Sequence, residues 1–286
     1  MTGPQIARLP DGRLHLQHGP IDLLIEAFGA AAEVAHAYRQ ASEGFGDILP
    51  TLVGELPALR RPVGEIHPLL QGPVARRMVG AVWPHRAVYI TPMAAVAGAV
   101  ADEMLAATIG GRTLDKAYVN NGGDIALHLA PGHELRAGIV ADLLAPQLSG
   151  FATLRHDRPV RGIATSGCGG RSFSLGIADS ATILAATAAD ADAAATLIAN
   201  AVNADHPSIR RRPAREIDPD SDLLDLPVTV SVGPLPHHVV AVALDQGAAE
   251  ARRLRLCGLI DGAALSLQGQ WRIDAGSTAL ARKEAG

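Results

Sequence analysis

The chain has 286 residues, 48% hydrophobic and 3% aromatic, with a formal net charge of −4. It is long enough to bury a sizeable core, as one domain over residues 1–286 or as two intimately joined lobes. The acidic balance, with no basic stripe carrying interleaved aromatics, excludes the common nucleic-acid-binding classes, and the two cysteines, Cys168 and Cys257, cannot frame a disulfide scaffold and fit a reducing, cytoplasmic setting.

Taken in order, Met1 to Asp11 lacks the charged start and apolar run of a signal peptide. No uninterrupted apolar stretch reaches the ~18 residues of a membrane span, so no membrane partner is expected. Arg13 to Glu26 reads as two strands around His18-Gly19-Pro20, because Leu14 and Leu16 alternate with His15 and Gln17. Phe28 to Gln40 carries apolar residues at helical spacing, and Gly44 and Gly46 stop it. Asp47 to Pro68 holds four prolines and reads as a broken surface connector with a short helical turn or two. Leu69 to Val82 is a helix interrupted at Gly72-Pro73. Tyr89 to Leu105 starts extended and becomes a helix built of Ala, Gly and Val, with Pro92 in its first turn, where the missing N–H costs nothing.

The central stretch Tyr118-Val-Asn-Asn-Gly-Gly-Asp-Ile-Ala-Leu127 predicts two short strands around a glycine turn. A plain hairpin explains it. So does a ligand loop, in which glycines let backbone donors approach an anion beside Asn and Asp side chains. Glu134 to Val140 is a further strand, Pro146 to Gly150 a turn, and Val160 to Thr165 a strand running into Ser166-Gly-Cys-Gly-Gly-Arg171. Hydroxyls, three glycines and a guanidinium suit a phosphate; a turn with locally capping hydroxyls is the plainer reading. Cys168, between glycines, is a candidate accessible thiol.

Ser180 to Ala185 is a strand and Ala188 to Asn200 a helix on which Asp192 and Thr196 share one face. A carboxylate and a hydroxyl so placed suit a hard cation such as Mg²⁺, and Asp also simply favours a helix N-terminus. His206 to Asp225, with Arg210-Arg211-Arg212, reads as a surface loop. Val228 to Val232 and Val239 to Leu244 read as strands joined through His237-His238, Ala248 to Cys257 as a helix, Ala263 to Ile273 as a closing hairpin, and residues 275–286 as a frayed tail.

Four pieces stand in one order: Thr91-Pro-Met-Ala-Ala-Val-Ala-Gly98, Asn120-Asn-Gly-Gly-Asp124, Thr165-Ser-Gly167 and Ala191-Asp-Ala-Ala-Ala-Thr196. This order resembles the ApbE-like superfamily, which includes FAD:protein FMN transferases, and is most similar to a branch carrying GPMAAVAGA, ENGGD, TSSG-type and ADAAAT segments. The resemblance covers about residues 85 to 205. It implies an α+β fold of antiparallel or mixed sheets with packed helices. It also implies a cleft for FAD or another planar anionic small molecule, lined by Asn121, Gly122, Gly123, Asp124, Thr165, Ser166, Gly167 and Arg171, with Mg²⁺ held by Asp192 and Thr196, and association into a homo-oligomer. The chain departs from the flavin transferases at Ala97-Gly98, where they have Lys-Gly, and neither Lys116 nor Lys283, the only lysines, replaces it. It departs again at Gly176, where they have His, and Arg171 stands where the similar branch has His. Three functions follow: a diverged Mg²⁺-dependent transferase or pyrophosphate-cleaving enzyme, an enzyme acting on another planar cofactor such as a pterin in one-carbon metabolism, and a non-catalytic ligand-binding or assembly protein.

Overall fold

The computed structural model describes residues 3–144, 147–276 and 278–282. The strands are β1 (Gln5–Arg8), β2 (Leu14–His18), β3 (Ile21–Phe28), β4 (Lys116–Asn121), β5 (Asp124–Leu129), β6 (Glu134–Val140), β7 (Leu148–Arg155), β8 (Gly162–Ser166), β9 (Ser180–Ala185), β10 (Ile209–Pro213), β11 (Pro227–Val232), β12 (Gly262–Leu267), β13 (Gln270–Asp274) and β14 (Ala279–Arg282). The α-helices are α1 (Ala31–Phe45), α2 (Ile48–Leu59), α3 (Pro73–Val82), α4 (Val96–Ile109), α5 (Ala188–Ala201) and α6 (His237–Leu256). The chain is therefore α+β, and the pairings described below are antiparallel. It divides into two compact units. One is Met1–Leu135, Arg155–Ala164 and Ala186–Ala193; the other is Arg136–Leu154, Thr165–Ala185 and Ala194–Gly286.

In the first unit β1 to β5 lie side by side in chain order, and Gly162 and Ile163 of β8 pair with Ala126 and Ile125 of β5. Alternation sets the faces: Leu14, Leu16 and His18 of β2, Ile21, Leu23, Ile25 and Ala27 of β3, and Ala117, Val119 and Asn121 of β4 point inward. Helix α4 packs on β4, β5, α1 and α3. Residues Pro92–Ile109 are long and apolar enough to cross a membrane by composition alone, but Ala99, Val100, Ala101, Met104 and Leu105 are buried in protein, as in a core helix.

Two expectations change in this unit. Phe28 closes β3 rather than opening a helix, and α1 starts at Ala31 after Gly29, whose φ is +147°. The supposed connector contains α2, twelve residues long. Pro50 lies in its first turn, where no N–H is needed, and Ile48, Leu49, Leu52 and Leu59 hold one buried face. Gly54, inside α2, has open space where a Cβ would sit. Gly54→Ala should therefore raise stability by about 0.4–1 kcal/mol, read as a shifted urea midpoint at unchanged slope.

In the second unit β9, β12 and β13 form an antiparallel run in which β9 and β12 are buried at every position. Helix α6 covers β12 and β13. The expected strand at Val239–Leu244 is the first half of this twenty-residue helix. Val240, Ala243, Leu244, Gly247, Ala251 and Leu254 recur at helical spacing on its buried face, and packing overrides the strand preference of three valines. His237 and His238 accordingly lie in its first turn. The arginine triplet expected in a loop lies in β10, paired with β11. Of the expected turn at 146–150, Leu148–Gly150 instead begin β7, while Pro146 lies outside the described residues. Of the expected frayed tail, Ala279–Arg282 form β14, paired with Gly150–Thr153 of β7.

Candidate functional site

The central hairpin forms as two positive-φ residues require. Gly122 (φ +64°) and Gly123 (φ +116°) alone make the turn, while Asn120 and Asn121 end β4 and Asp124 starts β5. The Asn120 side chain accepts the Gly123 N–H at 2.8 Å. That donor, expected to face a ligand, is thus used within the turn. Asn121 is on the inward face of β4 and only 4% exposed. Its amide donates to the Ala97 carbonyl at 3.1 Å and ties the hairpin to α4. A buried amide needs such a partner, so Asn121 has a structural duty that its place in the motif did not reveal.

The start of α5 meets the start of α4 at close range. A Cβ on Gly98 would overlap the Ala188 carbonyl, and one on Gly162 would overlap the Thr187 carbonyl. Two glycines thus let the backbone of residues 187–189 seat between α4 and β8, which gives Gly98 a reason to be glycine independent of any ligand.

The helices then cap each other. Asp102, on α4, accepts the Ala188 and Ala189 N–H groups at 3.0 and 2.9 Å. Thr187 accepts the Asp190 N–H at 3.1 Å and donates to the Asp190 carboxylate at 2.7 Å. The first donors of α5 are therefore satisfied, two of them by a carboxylate from elsewhere in the chain. In return, Asp192 on α5 accepts the Gly98 N–H at 3.0 Å, with the Ala97 amide also donating to it. Helix α4 has no side-chain cap of its own, so Asp192 supplies it. Asp102 had no part in the sequence expectations. The signal available was a carboxylate interrupting an otherwise apolar Ala/Gly/Val helix.

Both carboxylates are held above the ordinary range. Burial raises Asp192, the nearby Asp124 charge raises it further, and the two α4 amides pull back. Asp192 keeps some accessible surface, yet protein atoms crowd its carboxyl. Burial also raises Asp102, against the Ala189 and Ala188 amides and Arg77. In the first unit the structure thus brings together Asn121, the Gly122-Gly123 turn, Asp124 and Asp192. Thr196 lies one turn beyond Asp192 along α5. In donor type the set fits a hard cation: oxygen ligands, with two like charges that a cation would relieve. Among the described residues no cluster of three or more His, Cys, Asp or Glu is disposed to hold a metal.

The Thr165–Arg171 loop belongs to the second unit. Thr165 and Thr182 share a hydroxyl hydrogen bond at 2.9 Å. Gly167 is buried, and a Cβ there would press on the Asp179 and Ala178 carbonyls. The Gly170 N–H donates to Gly167 at 3.1 Å and Cys168 N–H to Ala178 at 2.9 Å. Ser166 is half-buried and Arg171 exposed. Cys168 is only partly accessible. Burial, with Asp179 nearby, pushes it up to about 11, and its Sγ lies 3.6 Å from the Ile177 carbonyl. Alkylation by iodoacetamide at pH 8 should label exposed Cys257 first and leave Cys168 largely unmodified, as peptide mapping would show. Gly176, where flavin transferases carry His, packs so tightly on α5 that a Cβ would overlap the Ala199 carbonyl.

The four motif segments, set on this α+β frame, define an ApbE-like protein. A family model described as AbpE bacteria matches residues 6–273, and the chain belongs to that family. Its relatives include UPF0280 proteins of Methanothermobacter thermautotrophicus, 38% identical over 46% of this chain and 50% of that one, and of Methanoculleus marisnigri, 42% identical over 42% and 49%. The matched part of the chain spans about half the length of these curated relatives. Two solved structures align along nearly all of it at low similarity. The Thermotoga maritima ApbE protein has TM-score 0.45 and 12% identity, covering 96% of this chain and 97% of that one. The apo flavinyl transferase ApbE of Pseudomonas stutzeri has TM-score 0.43 and 13% identity, covering 97% and 96%.

Proposed function

We propose that the chain binds a planar, anionic, nucleotide- or flavin-like ligand together with a divalent cation at the Gly122-Gly123 hairpin. The observation that carries this reading is the Asp192 carboxylate held 3.0 Å from the Gly98 N–H at the start of α4, with the Asp124 charge near enough to raise its pKa. Open space lies over Gly123, where no atom comes within 4 Å of the place a Cβ would take. A cation there would relieve the repulsion and neutralise phosphate charge. Asp192 would then serve both α4 and the cation, one through each carboxylate edge. The flavin itself is suggested by the resemblance of the four motifs to FAD:protein FMN transferases.

A second reading, an enzyme on a different planar anion such as a pterin, is favoured by Gly176. Its backbone seat leaves no room for the histidine of flavin transfer.

Titration with FAD, with and without Mg²⁺, followed by chromatography of the flavin products, tests both. Mg²⁺-dependent binding that Asp124→Asn weakens at least tenfold supports the site. Release of AMP would establish transferase-type cleavage and overturn the second reading. Failure of FAD, pterins and nucleotides alike to bind at millimolar concentration sinks the proposal.

A further inference from the structure

We infer that residues 60–90 form a docking surface for an anionic lipid interface. This span holds five arginines (60, 61, 76, 77 and 86) against one acidic residue, Glu65, in a chain whose net charge is −4. Arg77 is paired with Glu103 at 2.8 Å. The other four make no ion pair among the described residues, and Arg61, Arg76 and Arg86 are exposed.

The same span carries exposed aliphatics. Ile66 and Leu69 are 87% and 92% exposed, and Val88 is 53% exposed. Isolated exposed aliphatics are ordinary, but these belong to one assembly. The Val63 N–H donates to the Ile90 carbonyl at 3.0 Å and holds the two segments side by side. His67, between Ile66 and Leu69, packs its ring 4.8 Å from that of Trp83. The Arg86 guanidinium lies 4.9 Å from the centre of the same indole and donates to the Trp83 carbonyl at 3.0 Å. Indole, guanidinium and protruding aliphatic tips on neighbouring segments match the layered chemistry of a bilayer interface, where aromatics sit at headgroup level, arginines meet phosphates and aliphatics enter the acyl boundary.

Charge decides among occupants. A second copy docking by two-fold symmetry would set this basic span against itself. Side chains standing so far clear of their neighbours need no complementary pocket in a fluid interface, whereas a folded partner would have to supply one. The expectation of no membrane partner concerned spanning segments and does not bear on surface docking.

The test is co-sedimentation of the full chain with phosphatidylcholine vesicles, with and without a one-third share of phosphatidylglycerol, at low and high salt. The expected result is binding to the anionic vesicles alone, weakened by salt. In a Trp271→Phe background, Trp83 emission should shift to the blue on binding. The pair Ile66→Ser and Leu69→Ser should weaken binding by roughly a hundredfold, about tenfold for each lost aliphatic insertion. Arg60→Gln with Arg61→Gln should cost about fivefold per charge. Arg252→Gln, the loss of one charge on exposed α6 surface, should leave binding near wild type, against about fivefold for either arginine alone. No binding to anionic vesicles at low salt overturns the inference, as does equal binding to neutral vesicles or indifference to Ile66 and Leu69. A concentration-dependent dimer abolished by Leu69→Ser would assign the patch to a second copy instead.

Discussion

Gly98→Ala should cost this protein more than 4 kcal/mol of stability, an effect seen only where a single methyl has nowhere to go. The methyl would overlap the carbonyl of Ala188, and its nearest neighbours are backbone atoms of Ala188 and Ala189, which no rotamer change can move. The strain cannot be relieved by shifting α5, because Asp102, one turn on along α4, holds the Ala188 and Ala189 amides, and Gly162 of β8 closes on Thr187 and Ala188. Gly162→Ala should behave alike. Denaturant unfolding followed by circular dichroism measures both, and a loss under about 1 kcal/mol for Gly98→Ala would show that α4 and α5 do not meet as described. Gly54→Ala, with no atom in the way, is the matched control.

Asp102→Ala should cost about 2–4 kcal/mol, since two buried helix donors lose a charged acceptor at once. Asp102→Asn keeps one acceptor and turns an amide group toward the other donor, so its cost should be less than half of that. Both variants should also differ from the wild type in pH dependence. In the folded chain Asp102 and Asp192 bind protons more tightly than an ordinary carboxyl. Their contribution to stability is therefore fully present below the unfolded value near 3.8 and is lost as pH rises through the folded values. Stability measured against pH above 4 should fall more steeply in the wild type than in Asp102→Asn or Asp192→Asn. A wild-type slope equal to that of both variants would contradict the raised pKa values. Because the two caps share one helix pair, the double variant should depart from additivity by more than about 0.5 kcal/mol.

The motif segments were legible because each combines residues with few conformational uses. Gly122-Gly123 predicts a tight turn and the alanine run after residue 188 a helix, and both stand where expected; Pro92 opens a 3-10 turn over Pro92–Ala95, and α4 itself begins only at Val96. What the sequence hid was determined by partners distant in the chain. Val239–Leu244 has strand composition, and only the buried face it shares with Gly247, Ala251 and Leu254 makes it helical. Arg210 to Arg212 look like solvated loop, but β11 supplies a strand to pair with. At the candidate site, Asp124 and Asp192 were readable as oxygen donors. The duties of Asn121 and Asp102 were not, since a polar residue in a motif or at the end of an apolar run does not announce which backbone group it will meet.

The exchange of caps between α4 and α5 joins residues 86 and 94 positions apart. During synthesis, the amides at the start of α4 would therefore leave the ribosome well before the carboxylate that satisfies them. Until residue 193 is available, the first unit lacks its last segment, although its first 135 residues already carry five paired strands and four helices. Closing so long a loop is slow relative to local helix and hairpin formation. The step that completes the unit should thus be the late one, and a nascent chain paused before that point would hold a nearly finished sheet with an unsealed helix end.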